Sequence, residues 1–224
     1  MRRLAASPLA FAALLATAAS GCVSYAVGTT AATVPERQVE PSAVVQIASG
    51  RRDLDVDDDA AGPSVSLGNE ARLGLDARSD VGVRLTGLGG VTATYKRRLS
   101  GAGDTGTALV VGAGVVGASH VHSEATLIVS RARFGGRLGA QLGPRVAPYG
   151  GVRVQDLEPF AGDALDTPPA VGVFAGARLG WPDLAISPEV GVFYSPSPAF
   201  GDRTFIVVPS VTVRGERLRK ALGL

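Results

Sequence analysis

The chain has 224 residues, of which 46% are hydrophobic and 5% aromatic, with 30 glycines, 14 prolines and one cysteine. A single cysteine excludes an internal disulfide, and the length suits one domain once any leader is removed. The formal charge of +2 comes from Arg2 and Arg3: without them 20 basic residues balance 20 acidic ones, which excludes the long-range attraction that nucleic-acid binding needs.

Arg2 and Arg3 open a positive n-region, and residues 4–19 are an uncharged stretch rich in alanine and leucine that ends in small residues, the composition of a cleaved export signal. The stretch falls short of the roughly 18 to 20 apolar residues of a spanning helix, and Pro8 would interrupt one. It closes on Ala19-Ser20-Gly21-Cys22, which resembles the lipobox of bacterial lipoproteins, with Ala19 where Leu is usual. The resemblance implies removal of residues 1–21, acylation of Cys22 by a palmitate-type chain, and delivery to the outer membrane, since Val23 stands where inner-membrane lipoproteins usually have Asp. An unpaired thiol in an exported protein is an oxidation liability, which fits a thiol consumed by lipid. Residues 22–38 are rich in Ala, Thr and Val without a period and read as a flexible, lipid-anchored tether.

From residue 39 onward, period-two alternation recurs segment after segment. In residues 90–99, Val91, Ala93 and Tyr95 share one face while Thr92, Thr94, Lys96 and Arg98 share the other. Leu67, Ala71, Leu73 and Leu75 oppose Glu70 and Arg72; Val81, Val83 and Leu85 oppose Arg84; Ile186, Pro188, Val190, Val192 and Tyr194 oppose Ser187 and Glu189. Phe205, Val207, Val211 and Val213 oppose Ser210, Thr212 and Arg214. The pattern predicts strands near residues 39–48, 64–75, 80–88, 90–99, 106–117, 123–134, 146–155, 170–180, 184–194 and 203–214. Their lengths suit the ~9 to 11 residues with which a tilted strand crosses a bilayer.

Connection lengths carry a second signal. With the N-terminus on the periplasmic side, the odd-numbered connections point outward, and the long ones at residues 50–63, 156–169 and 195–202 are among them, whereas residues 76–79 and 181–183 are tight inward turns. Short periplasmic turns with longer external loops are the asymmetry of outer-membrane barrels. Residues 88–90 and 135–145 break it, which leaves the strand number between 8 and 12.

Over nearly the whole mature domain this pattern resembles the small bacterial outer-membrane β-barrels. The resemblance implies an all-β, antiparallel up-and-down barrel over residues 39–214, about ten strands in number, with a lumen filled by its own side chains. Glu70, Arg72, Arg84, Lys96, Arg98, Arg153, Arg178 and Glu189 are the expected lumen-facing polar residues. Two features depart from that family: residues 215–224 form a polar tail with no terminal aromatic, and only a sparse interfacial belt is available from Tyr95, Tyr149, Trp181, Tyr194, Phe200 and Phe205.

Three motifs suggest chemistry. Gly112-Ala113-Gly114-Val115-Val116-Gly117 has the spacing of the dinucleotide fingerprint, but β-leaning residues follow where a helix should, and Arg131 and Arg133 occupy the region of the ribose-binding acid; a glycine-rich barrel strand is the better reading. His120, His122 and Glu124 would share one face of an extended segment, a spacing open to a metal ion, although the segment reads as an outer loop with solvated histidines. The His-Ser-Glu composition there is similar to that of outer-membrane serine esterases, with no serine marked as nucleophile. Asp53, Asp55, Asp57, Asp58 and Asp59 form an acidic loop without the glycine and terminal Glu of a calcium-binding loop.

The sequence therefore predicts a non-enzymatic, cofactor-free barrel anchored in outer-membrane lipid through Cys22, with a structural or surface-binding role toward an unidentified ligand or envelope protein. One alternative is a soluble periplasmic barrel whose apolar faces pack inward around a small apolar ligand. A hydrolase centred on His120 and His122 is the other.

Overall fold

A computed structural model describes residues 24–48, 64–87, 89–117, 120–133, 137–138, 141–142, 145–159, 168–181, 183–195 and 204–222. The strands are β1 (Val39–Ala48), β2 (Ser64–Asp76), β3 (Ser79–Thr86), β4 (Gly90–Ala102), β5 (Thr105–Val116) and β6 (His120–Ser130), a two-strand hairpin of β7 (Arg137–Leu138) and β8 (Gln141–Leu142), then β9 (Arg145–Pro159), β10 (Ala170–Trp181), β11 (Leu184–Ser195) and β12 (Thr204–Arg214). Ten of them form a closed barrel in the order β1-β12-β11-β10-β9-β6-β5-β4-β3-β2. Every neighbouring pair is antiparallel, and β1 meets β12 with Ser42 opposite Arg214 and Gln46 opposite Ser210, so the sheet has no free edge. The long connection after β6 holds the small β7–β8 hairpin and adds no strand to the barrel.

One rim carries the connections β2–β3, β4–β5, β6–β9 and β10–β11. The opposite rim carries β1–β2, β3–β4, β5–β6, β9–β10 and β11–β12, including the long segments 49–63, 160–169 and 196–203. The two are called here the turn rim and the loop rim. The acidic residues 53–59 and the interfacial candidate Phe200 lie outside the described residues.

The alternation read from the sequence governs the wall. Val45, Leu67, Val83, Val91, Val111, Val129, Val152, Val173, Val192 and Val207, one from each barrel strand, are exposed on the outside. Their neighbours turn inward: Gln46, Ser66, Arg84, Thr92, Val110, Ser130, Arg153, Gly172, Phe193 and Val208 in the same strands are buried, six of them polar or charged. The outer wall is apolar, whereas the inside combines charged groups with two small apolar clusters, one around Phe193 and one around Phe174. The premise of the soluble alternative, that the apolar faces pack inward, is corrected: those faces point out.

The polar tail carries α1 (Glu216–Leu222) after Gly215, and Arg217 fixes it to the β10–β11 turn through Asp183 at 2.6 Å. One further expectation changes. Tyr149 is not part of an interfacial belt; it faces the lumen, buried beside Phe174. Of the other belt residues, Trp181 is exposed at the turn rim, and Phe205 is 67% exposed near the loop rim, its ring 5.3 Å from that of Tyr194.

Candidate functional site in the barrel lumen

Residues 24–34 lie inside the barrel. The sequence reading made this stretch part of a tether outside the domain, and the correction has a clear physical cause: the main chain there finds its hydrogen-bond partners on the barrel wall. The Gln46 side-chain oxygen accepts from the N–H groups of Tyr25 and Ala26, each at 3.0 Å. The Glu189 carboxylate accepts from Val27 and Gly28, each at 2.8 Å. Further along, Ser130 accepts from the Ala31 N–H at 2.9 Å and Asp80 from the Val34 N–H at 2.9 Å.

The carbonyls are met by cations. Arg153 donates to the oxygens of Ser24 at 2.7 Å and Ala26 at 3.2 Å, Arg214 to that of Gly28, and Lys96 to that of Thr30 at 2.6 Å and to that of Ala32. Mostly small side chains let this irregular segment fit so narrow a space. At Gly28, where φ is +56°, an added Cβ would lie 2.0 Å from the Thr212 hydroxyl oxygen, so the position requires glycine on both conformational and steric grounds.

Beside the segment, the wall residues form a run of alternating charge. Asp80 pairs with Arg72 at 2.5 Å, Arg72 with Glu70 at 2.5 Å, Arg84 with Glu70 at 3.8 Å and with Glu124 at 3.4 Å, and Glu124 with Arg153. Buried charges of this kind are tolerable only when each meets an opposite charge or a hydrogen bond. All eight residues named as lumen-facing in the sequence lie on the inner side: Glu70, Arg72, Arg84 and Arg153 in the charge run, Glu189 and Lys96 on the N-terminal segment, Arg98 donating to Thr33 at 2.7 Å, and Arg178 to Asp104 at 3.1 Å. Sequence reasoning missed Asp80, Gln46, Asp104 and Arg214 as members. Asp80 and Arg214 sat in alternating segments with the correct phase and could have been found; Asp104 is a turn residue and carries no such signal.

The histidine region is also corrected. His120 begins β6, and His122 and Glu124 are buried in the lumen instead of lying on an outer loop. His122 Nδ1 lies 3.0 Å from the Asp156 carbonyl oxygen and its Nε2 3.1 Å from Glu124. Both ring nitrogens of His122 are thus engaged, and Glu124 is held by Arg84 and Arg153. Among the described residues no three His, Cys, Asp or Glu side chains are grouped to hold a metal ion. Gly112 and Gly114 lie in β5, which turns directly into β6 with no intervening helix, and a Cβ at Gly112 would press on Glu124 Cγ at 2.9 Å.

No protein-family model matches this chain, and no curated protein matches it in sequence. Among solved structures it is similar to the crystal structure of Neisserial surface protein A (NspA), with a TM-score of 0.33 and 13% identity over 80% of this chain and 95% of that one.

Proposed function

We propose that this chain is a non-enzymatic β-barrel of the bacterial outer membrane, lipid-anchored through Cys22 and closed by its own N-terminal segment, with an envelope-structural or surface-binding role. The observation that carries the reading is the inverted polarity of the wall. Every barrel strand exposes large aliphatic side chains outward. Soluble monomers rarely expose continuous apolar surface beyond a few hundred Å², and a closed sheet leaves no edge for a partner to cover it by strand addition, so lipid is the solvent that suits it.

The lumen supports a structural use. Its charged groups are committed to one another and to the main chain of residues 24–34, an arrangement that fills space and holds the barrel's shape. Any recognition of a small ligand or envelope protein then falls to the loop rim, where the long connections gather.

The test is gel migration of protein from isolated outer membranes: a folded membrane barrel resists detergent and shifts on boiling. Purification of a Cys22→Ser chain from periplasm without detergent would overturn the proposal. For the anchor, mass spectrometry of the mature N-terminus is expected to find an acylated Cys22, and Cys22→Ser to abolish the modification; a free Cys22 thiol or cleavage elsewhere would reject it.

A further inference from the structure

The direction in which residues 24–34 run through the lumen is set by contacts at both rims. Tyr25 is buried among Val116, Phe193 and Ile206, all close to the loop rim, and its ring centroid is 4.8 Å from that of Phe193. Ala31 is bound by Ser130, the last residue of β6, and Val34 by Asp80 near the start of β3, both at the turn rim. The chain leaves the lumen there, where the Arg37 N–H donates to the Gly74 carbonyl at 2.9 Å, and β1 then climbs back along the wall. At roughly 3.3 Å per residue a stretch of this length reaches at most about 35 Å, and the contacts at both rims show that it runs from one toward the other despite the turn at Gly28.

We infer that the mature N-terminus is presented at the loop rim, on the same side as the long connections, and that its partner is the lipid leaflet on that side. The lipid part rests on the lipoprotein reading of Cys22; the direction of threading rests on the contacts above. Cys22 is two residue steps from Ser24, which fully extended span about 7 Å, far less than the ~30 Å to the other leaflet. An anchor held in the turn-side leaflet would require residues 24–34 to leave the lumen and forfeit the partners supplied by Gln46, Glu189, Lys96 and Asp80. On this inference the N-terminus stands beside the long loops, where the sequence expectation placed it on the opposite, periplasmic side. A corollary concerns assembly: β1 and β12 must close around a segment already in place.

The experiment places one short epitope tag at a time in the full chain: after Val23, within residues 53–59, or between Ala77 and Arg78. Intact and permeabilised Gram-negative cells are then probed with antibody. The expected result is that the first two tags are reached in intact cells and the third only after permeabilisation. Grouping of the Val23 tag with the Ala77 tag would overturn the inference while leaving the membrane barrel intact. Equal behaviour of all three, with protein released without detergent, would overturn the membrane reading and the leaflet assignment with it. Should the tag after Val23 block processing, a Cys22→Ser chain carrying Tyr25→Cys and Phe193→Cys decides the threading: bridging of the two thiols by a short bifunctional maleimide in the folded, heat-modifiable protein is expected, and its absence there would overturn the inference.

Discussion

Glu124 meets His122, Arg84 and Arg153 in one buried place, so its carboxylate balances two guanidinium groups. Removing one partner of a buried pair leaves an uncompensated charge and costs about 3–5 kcal/mol, whereas replacing a whole pair by apolar groups is often neutral. Glu124→Gln is therefore expected to lower the stability of the barrel by that order in urea unfolding from lipid vesicles, and Glu124→Leu combined with Arg153→Met to cost less than either change alone. Gly28 is sensitive for another reason: a Cβ there collides with Thr212. Gly28→Val is expected to drive residues 24–34 from the lumen while the wall stays closed, seen as fast amide hydrogen exchange in that segment alone. Retained protection in the segment would show that the collision is absorbed by Thr212.

At the level of the strand, the same two-residue period assigns opposite roles to adjacent positions. Val83, at 51% exposure, and Val192 and Ala93 point outward, where arginine near the bilayer midplane costs about 2–4 kcal/mol. Arginine at any of the three is expected to reduce assembly into lipid. Lys96, by contrast, is buried and spends its ammonium on Thr29, Thr30 and Ala32, so Lys96→Ala is expected to loosen the N-terminal segment and leave assembly yield largely unchanged. A polarity-sensitive probe at Ala93 or Val192 adds a direct reading: quenching by lipid-borne quenchers is expected, and an unquenched site would reassign that face to a protein contact. These faces were legible without coordinates because side chains alternate across any strand.

Over the whole molecule, the N-terminal segment and the barrel form one hydrogen-bonded body, and the segment is what occupies the lumen. Deleting residues 24–34 leaves Gln46, Lys96, Glu189 and Arg214 facing an unfilled polar cylinder, which water will enter. The deleted chain is expected to conduct ions in planar bilayers and the full chain to remain closed; a truncated barrel that stays silent would mean that the wall side chains collapse inward and close the lumen themselves.

The positions of the strands, the outward aliphatic face and the inward cations were determined by the sequence itself, because period and hydrophobicity are local properties; the ends of β4, β6 and β9 were not, since they are set by pairing with neighbouring strands. Closure of the ten strands depended on pairing between distant segments, with β1 joined to β12 and β6 to β9. The placement of residues 24–34 was decided only by the tertiary structure. Their Ala, Thr and Val composition is equally that of a linker, and their attachment runs through main-chain N–H and C=O groups, which every residue carries and no side-chain pattern reveals.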